Sequence, residues 1–411
     1  MDDGSPSTHD TGRTRGTARG GTLTRSATFL LAVACGAAVA NVYLAQPLLA
    51  TMGRELGVGE GAVGAVVTLT QVGYALGLVL LVPLGDVLDR RRLVVVQLVA
   101  LAAALVVSGT APAAAVLLVG TTAVGLLAVV AQTLVAHAAA LAEPDRRGRV
   151  VGSVTGGIVV GILLARTVSG ALADLAGWRA VYLASAALVC VLALVLHRAL
   201  PAGTAPASAV GYAGLLRSTV ALFAAERLLR VRALLGLLVF AAFSVLWSCV
   251  ALPLSEPPLS LSHTAIGAFG LAGAAGAVAA TAAGRLNDRG LSHWTTGAGL
   301  VLLTLSWLPL AFTRQSLWAL VAGVVVLDLA VQAVHVTNQN LVHALRPGAG
   351  SRLIGGYMVF YSVGSASGAI AATGLYAAFG WGAVCLLGAG VSGLGCLVWA
   401  WTGRVPAPTA R

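Results

Sequence analysis

Lysine is absent from this chain, and charged residues of every kind are scarce. All 25 basic residues are arginines, 14 residues are acidic, and charged residues make up 9% of the 411 positions. A water-soluble domain has about 25% charged residues, so a soluble enzyme or a soluble binding domain is excluded. The net charge of +11 does not indicate nucleic-acid binding, because the arginines lie in short loops between apolar runs and form no basic face.

Motifs for covalent or metal chemistry are also missing. The five cysteines lie inside apolar runs, without a CxxC or a His/Cys ligand spacing, so they predict buried free thiols and neither disulfides nor a metal site. The sequence contains no HExxH, no P-loop and no Ser/His/Asp arrangement. We therefore expect no enzyme, no ATP-driven pump and no cofactor. A membrane sensor is disfavoured because no soluble signalling domain accompanies the apolar runs.

Long apolar runs are what the chain has instead. Hydrophobic residues make up 58% of the sequence, and the mean hydropathy is +0.92. Runs of about 18–28 residues can cross a ~30 Å hydrocarbon core as helices. The sequence predicts an all-α membrane protein with twelve such helices, at 27–50, 63–84, 93–111, 113–141, 150–176, 180–200, 232–252, 265–284, 295–312, 317–343, 353–379 and 382–402. The first run is too long for a signal-peptide core and is interpreted as a retained span.

The sequence repeats itself across about two hundred residues. Segments 85–90, 149–152 and 177–181 return at offsets of 199, 203 and 203. Such a duplicated set of spans is typical of secondary transporters, which bind their substrate near mid-membrane between the two halves. The predicted organisation is a disordered tail 1–26, a six-helix bundle 27–200, a linker 201–231, a pseudo-symmetric six-helix bundle 232–402 and a tail 403–411.

The placement of arginine predicts the orientation. With the N-terminus inside, 21 arginines fall on the cytoplasmic side, only Arg54, Arg179 and Arg314 fall outside, and Arg166 lies within the membrane. This asymmetry predicts cytoplasmic termini and a cytoplasmic linker in a multi-pass plasma-membrane protein. The second part of the linker is either an interfacial amphipathic helix, with Glu226 and Arg230 at i,i+4, or a plain solvated connection.

Two of the repeated loops resemble a known family. Residues 85–92, with Gly85, Asp89 and Arg90, resemble the signature loop of the major facilitator superfamily, and residues 284–290 resemble its weaker copy. Residues 40–49 resemble the first-helix motif of the twelve-span drug:proton antiporter group. The resemblance covers residues 27–402. It implies a small-molecule substrate, protons as the coupling ion, and alternating access of two bundles in a lipid bilayer; we expect a monomer.

The resemblance also implies roles for particular residues. The signature loops are expected to form a conformational gate, whose residues are Gly85, Asp89, Arg90, Gly284, Asp288, Arg289 and Arg352. Helices one, four, seven and ten line the cavity in this family. Polar side chains are costly in hydrocarbon and should face the interior, and aromatic rings there can stack on a flat ligand. The candidate substrate-binding residues are Asn41, Tyr43, Gln46, Gln71, Tyr74, Gln132, Arg166, Trp247, Gln332, Asn338, Tyr357 and Tyr361.

Asp328 is the sharpest candidate for proton coupling. It is the only acidic residue near the middle of a predicted span, where a carboxylate costs about 2.5–3.5 kcal/mol on insertion scales. His335 follows on the same helical face at i+7. Many relatives carry an aspartate where Asn41 stands here, so Asp328 and His335 are the predicted proton-coupling pair. The alternative is that Asp328 only partners a neighbouring helix.

Two further patterns bear on the mechanism. Gln132 and Gln332 occupy matching places in the halves and either face each other across the cavity or only join helices. Glycines at 267, 270, 273 and 276 predict close helix packing rather than a nucleotide loop. The sequence as a whole predicts proton-coupled export of a small amphipathic or aromatic molecule. Uptake of a small polar metabolite, by a symporter or a facilitator, is the alternative.

Overall fold

The structure is a computed structural model that describes residues 24–200, 212–345 and 350–402, and this part of the chain is helical, without a β-strand. Residues 1–23 and 403–411 of the predicted tails and residues 201–211 of the linker lie outside the described residues, while the last two residues of the predicted N-terminal tail begin α1. The first half contains α1 Arg25–Ala40, α2 Leu49–Leu56, α3 Glu60–Val63, α4 Ala65–Leu80, α5 Arg90–Gly109, α6 Ala114–Ala128, α7 Val130–Leu141, α8 Arg147–Ala176 and α9 Trp178–Ala199.

The linker carries one helix, α10 Tyr212–Ala225. The second half contains α11 Arg227–Trp247, α12 Ala251–Ser255, α13 His263–Ala268, α14 Ala274–Asp288, α15 Ser292–Leu305, α16 Trp307–Ala311, α17 Leu317–His343 and α18 Gly350–Thr402. Short 3₁₀ turns lie at Gln46–Leu48, Val82–Asp86, Pro144–Arg146 and Phe269–Gly273.

The exterior of the molecule is apolar. Leu175, Trp318 and Trp401 are 84%, 82% and 86% exposed, whereas Arg166 and Asp328 are buried. This distribution is the reverse of a soluble protein and fits a multi-pass membrane protein, because unpaired polar groups are costly in hydrocarbon. Nine helical segments of the described chain are long and apolar enough to cross a bilayer. The count of twelve spans stays a prediction.

Several predicted spans are interrupted. The first breaks at residues 41–45, just before Pro47, because proline lacks the N–H that a continuous helix needs. The eighth breaks at the 3₁₀ turn Phe269–Gly273, where glycines weaken the helix. The last two predicted spans form one helical element, α18, which is non-helical inside only at Gly380.

The repeated Gly-Trp motif makes the same corner in both halves. Gly177 and Gly380 have φ of 80° and 73°, a conformation that costs other residues about 1–2 kcal/mol. Trp178 and Trp381 follow and are both buried. Their indole N–H groups donate to the Glu55 carboxylate and to a carbonyl of α16, each at 2.8 Å. The glycine turns the chain, and the tryptophan fixes the turn against a neighbouring segment.

The halves touch through a few helices. Inside the first half α1 packs on α8, α4 on α6 and α5 on α9; inside the second, α11 packs on α18 and α14 and α15 on α17. Between the halves, α3 and α4 pack on α18, and α8 packs on α13. The division into two six-helix bundles stays a prediction.

One end of the molecule is tied across the halves. The Asp174 carboxylate accepts hydrogen bonds from the backbone N–H groups of His263 and Thr264, at 3.2 and 2.7 Å, and from both side chains, at 2.6 Å. His263 also bonds the Thr51 hydroxyl at 2.7 Å. A Cβ on Gly170 would lie 2.1 Å from the His263 carbonyl oxygen. We call this the clasped end, defined by Thr51, Gly170, Asp174, His263 and Thr264.

The opposite end contains a cavity of about 560 Å³. One wall comes from α4, the turn after it, α5 and α7, and the other comes from α10 and α18. Most of the lining is apolar, and its charged members are Arg90 and Arg352. We call this the cavity end.

The linker helix α10 forms part of the cavity wall. Tyr212 donates a hydrogen bond to the Leu80 carbonyl at 2.8 Å, and Phe223 stacks on Phe360 at 5.2 Å between ring centroids. Glu226 lies between α10 and α11, while Arg230 donates to two carbonyls at the end of α10. The apolar side of the helix therefore lies on the protein, and Arg230 caps its C-terminus.

Candidate substrate and proton site

Arg166 on α8 lies at the centre of the molecule and is 2% exposed. Its Nε donates a hydrogen bond to Gln46 at 2.6 Å. The guanidinium carbon lies 3.9 Å from the centroid of the Trp247 ring, 5.2 Å from that of Tyr43 and 5.4 Å from that of Phe243. Cation–π contacts of this kind are strongest when they are desolvated. One amide and three aromatic faces thus surround the buried cation.

Asp328 on α17 is also buried, and it connects to Arg166 through one side chain. The indole N–H of Trp247 donates to the Asp328 carboxylate at 3.2 Å, while the face of the same indole covers Arg166. The two charged groups make no direct ion pair within the part of the chain that the structure describes. Trp247 therefore separates the buried cation from the buried acid and touches both.

The glycine-rich face of α13 and α14 lies against these charged residues. Cβ atoms built on Gly267 and Gly270 would meet Arg166 at 2.4 and 3.0 Å, and one built on Gly273 would lie 2.9 Å from an Asp328 carboxylate oxygen. Gly276 meets Gln332 in the same way, at 2.8 Å. The glycines serve close helix packing, and what they pack on is the charged centre.

A chain of rings leads away from Arg166 towards His335. The Tyr43 and Tyr361 hydroxyls are hydrogen-bonded to each other. The Phe240 ring lies 3.9 Å from that of Tyr361 and 4.8 Å from that of His335, measured between centroids. His335 Nδ1 is 2.9 Å from the Tyr357 hydroxyl. His335 thus belongs to the aromatic part of the site and reaches Asp328 only through other residues.

The predicted amides are placed less centrally. Gln132 donates to the Tyr74 hydroxyl at 3.4 Å, and Gln332 lies against Gly276. In the described residues no hydrogen bond joins Gln132 to Gln332. The Gln71 side chain is 2% exposed, and its carbonyl oxygen has no hydrogen-bond partner in the described chain.

The hydrogen-bonding atoms of the Asn41 side chain already have partners within the protein. Its side-chain N–H₂ donates to the carbonyls of Ala37 and Ala38, at 2.7 and 3.3 Å, and its oxygen accepts from Ser185 at 2.6 Å. These bonds cap the end of α1 and tie it to α9. The proposed role of Asn41 in binding substrate stays a prediction, and this geometry does not support it.

The gate residues of the first signature loop meet at the cavity end. Asp89 caps α5 by accepting from the Arg92 N–H at 2.9 Å, and Arg90 donates to the Gly85 carbonyl at 2.8 Å. Arg352 donates to Ser218 on α10 at 2.9 Å. Gly85, Arg90 and Arg352 all line the cavity.

The second copy of the signature loop, residues 284–290, makes fewer contacts than the first. Asp288 is the last residue of α14 and Arg289 follows it. Gly284 has open space where a Cβ would be.

Three residues of the buried polar and aromatic network were missed by the sequence interpretation. Phe240 and Phe243 are central aromatics, but a phenylalanine in an apolar span carries no sequence signal. Arg232 was assigned to loop charge, yet it reaches inward and donates to Thr296 at 3.0 Å and to Asn338 at 3.3 Å. Asn338 is therefore brought to Arg232 and not to the Arg166 cluster.

Comparisons with known proteins agree with this architecture. The sequence profile described as Major Facilitator Superfamily matches residues 30–289 and 233–411. The chain is 45% identical over 374 residues to the uncharacterized transporter YgaY of Escherichia coli O157:H7, covering 91% of this chain and 94% of that one. It is 31% identical over 290 residues to a chloramphenicol resistance protein of Streptomyces lividans, covering 69% of this chain and 72% of that one.

The fold is similar to a crystal structure of a bacterial homolog of the human lysosomal transporter Spinster, in an inward-facing, unoccupied conformation. The TM-score is 0.76 at 15% identity, over 92% of this chain and 97% of that chain.

Proposed function

Because the chain belongs to the major facilitator superfamily, we propose that it exports a small amphipathic or aromatic molecule in exchange for protons. Membership of this family makes it a transporter and not an enzyme. One observation carries the finer proposal: a buried acid accepts a hydrogen bond from the indole N–H of one tryptophan and a buried arginine covers the face of the same ring, inside a cluster of aromatic rings. The rings offer stacking faces to a flat substrate, and the acid offers a group that can take up a proton.

Asp328 and Arg166 are coupled by charge. An ionised Asp328 balances the buried Arg166, and protonation of Asp328 removes that balance in a region of low dielectric, where the effect is large. A substrate that accepts a hydrogen bond from Arg166, or that stacks on Trp247, then competes with the aspartate for the same groups. Proton and substrate therefore influence each other's binding through Trp247, as an antiporter requires.

The predicted orientation is consistent with the proposed direction of transport. The arginine asymmetry predicts that the cavity end, which carries the linker helix, is cytoplasmic. The structure is then open to the cytoplasm and closed outside, the state in which an exporter loads its substrate. One proton moving down 100 mV supplies about 2.3 kcal/mol. The resistance protein of Streptomyces lividans supports export of an aromatic compound.

Reconstituted vesicles with an imposed pH gradient test the proposal, with radiolabelled chloramphenicol as the first substrate. For Asp328→Asn, which mimics the protonated acid, we expect substrate exchange to persist and gradient-driven accumulation to be lost. Glu55→Gln is the matched control, because Glu55 is a carboxylate at the clasped end whose hydrogen bonds, among the described residues, stay within its own half. Accumulation by Asp328→Asn at the wild-type level would remove Asp328 from the coupling. Accumulation in the opposite direction would favour uptake.

A further inference from the structure

Arg232 lies away from the Arg166 cluster, in the second turn of α11. Its Nη1 donates to the hydroxyl of Thr296 on α15 and to the side-chain oxygen of Asn338 on α17. Thr296 and Asn338 are both fully buried. Three helices thus contribute one side chain each to a polar group at the end of the second half to which the linker is attached.

This polar group contains the positively charged Arg232 but no acidic residue. Nowhere in the described residues does a carboxylate make an ion pair with Arg232. A charge that is largely withdrawn from water without a charged partner is destabilising. Most arginines of this chain avoid that cost because they lie exposed in loops, and Arg166 is covered by aromatic faces. Arg232 lies on a helix and is only partly exposed, and no aromatic face covers it in the described chain.

The unused groups around Arg232 are all donors. Its own Nε is buried and makes no hydrogen bond within the described chain. The side-chain N–H₂ of Asn338 lies near the Tyr357 hydroxyl but makes no hydrogen bond of ordinary geometry in the described chain. The Thr296 hydroxyl already donates to the Ser292 carbonyl at 2.8 Å. Two unpaired N–H groups beside a positive charge match an acceptor with negative charge, and an arginine fork suits the paired oxygens of a carboxylate or a phosphate.

We propose that Arg232, Asn338 and Thr296 form a binding site for an oxyanion, the carboxylate or phosphate group of a solute or of a lipid headgroup. Arg232 and Asn338 bind the anion directly, and Thr296 holds the guanidinium in position. Arg232 keeps partial exposure, so a ligand can reach it from the adjacent surface. The site is separate from the Arg166–Trp247–Asp328 cluster and does not depend on the proposed transport function.

Thermal unfolding of the purified full chain in detergent tests the proposal. Sodium phosphate and sodium benzoate are compared with sodium chloride at matched ionic strength. Because a ligand that binds only the folded state raises Tm, we expect a saturable rise of about 2 °C for the wild type and none for Arg232→Gln. Arg227→Gln is the matched control: it removes an exposed arginine from the same helix, and it should respond like the wild type.

A second variant supplies the anion from the protein. Asn338→Asp places a carboxylate where the Asn338 side chain already contacts Arg232. We expect it to raise Tm without added phosphate or benzoate and to abolish the response to them. A fall in Tm for Asn338→Asp that added anion does not reverse would overturn the proposal, even if Arg232→Gln fails to fold.

A second set of measurements, in lipid nanodiscs, distinguishes a solute anion from a lipid headgroup. The same variants are measured in nanodiscs of phosphatidylcholine with and without phosphatidylglycerol. A rise that requires Arg232 and appears only with phosphatidylglycerol identifies an anionic lipid headgroup, whereas a rise with phosphate or benzoate identifies a solute. Equal Tm values for the wild type in every arm, or an equal response in Arg232→Gln, would contradict the site.

Discussion

The two ends of the molecule are built in opposite ways. At the clasped end, a carboxylate of the first half holds the first residues of α13 by four hydrogen bonds, and glycine brings the backbones together. At the cavity end, a space of about 560 Å³ separates the halves, and its walls are largely apolar. The closed end is thus fixed by hydrogen bonds between the halves, while the open end is lined mainly by apolar side chains.

The difference teaches that the present state depends on a small number of contacts. A closed interface made of backbone contacts and hydrogen bonds either exists as a whole or is absent, because such contacts have little room to deform. The cavity end can close around ligands of many shapes, because apolar contacts do not require a particular geometry. Breaking the clasp should therefore shift the whole molecule towards the opposite state. Each prediction below uses one reporter cysteine in a cysteine-free background, labelled with a maleimide, so that the labelling rate follows the open population.

The largest effect is expected for Gly170→Val. The new side chain would meet the backbone of His263, and overpacking of this kind costs up to about 3 kcal/mol. We expect labelling of Ala369→Cys, a fully buried residue of α18 at the interface with α3 and α4, to increase about a hundredfold. Gly156→Val on the same helix is the control, because its Cβ meets nothing. Equal labelling rates for both variants would mean that α8 and α13 do not control the closed state.

A smaller effect is expected for Asp174→Asn. The variant keeps one acceptor oxygen but loses the charge that strengthens all four hydrogen bonds, a loss of about 1.5 kcal/mol. Labelling of the same Ala369→Cys reporter should rise about tenfold. Glu55→Gln removes a carboxylate that bonds only Trp178 and Arg179 of its own half, and it should leave the rate unchanged. If Glu55→Gln had the same effect, general charge at this end would explain the closure better than the clasp.

The smallest effect is expected at the cavity end, for Ser218→Ala. This change removes the hydrogen bond by which Arg352 holds the linker helix, worth about 0.5–1 kcal/mol. Labelling of Ala136→Cys, which lines the cavity, should rise about threefold, and Ala369→Cys should not respond. Ser153→Ala is the control, because Ser153 bonds only its own helix. A response at the clasped end would show that the linker helix couples the two ends.

Much of this architecture could be predicted from the sequence. The repeat that begins at Gly177 and Gly380 marked equivalent positions in the two halves, and the structure adds that both glycines turn the chain with positive φ. Arg166 and Asp328 stood out because charged residues are rare in the predicted spans, and a charge in a membrane span is costly and usually functional. The glycine stripe predicted close packing, although not that the packed groups would be these same charged residues.

Other features could not be found in this way. Phe240 and Phe243 look like any apolar residue in a span, and only the fold places them beside Arg166. Asn41 has the residue type of a binding group, yet its hydrogen bonds are taken by carbonyls three and four residues earlier and by Ser185. Arg232 begins a predicted span, where arginine is usually at the surface, and only the packing of three helices turns it inward.

The glycine face of α13 and α14 has a mechanical consequence. Gly267 and Gly270 face Arg166 of α8, and Gly273 and Gly276 face Asp328 and Gln332 of α17, so this segment presents backbone rather than side chains to both helices. Interlocked side chains would have to separate before these helices could shift, but a surface without projections allows the neighbours to slide while they stay in contact. We therefore expect α13 and α14 to move against Arg166 and Asp328 by shear rather than by hinge rotation.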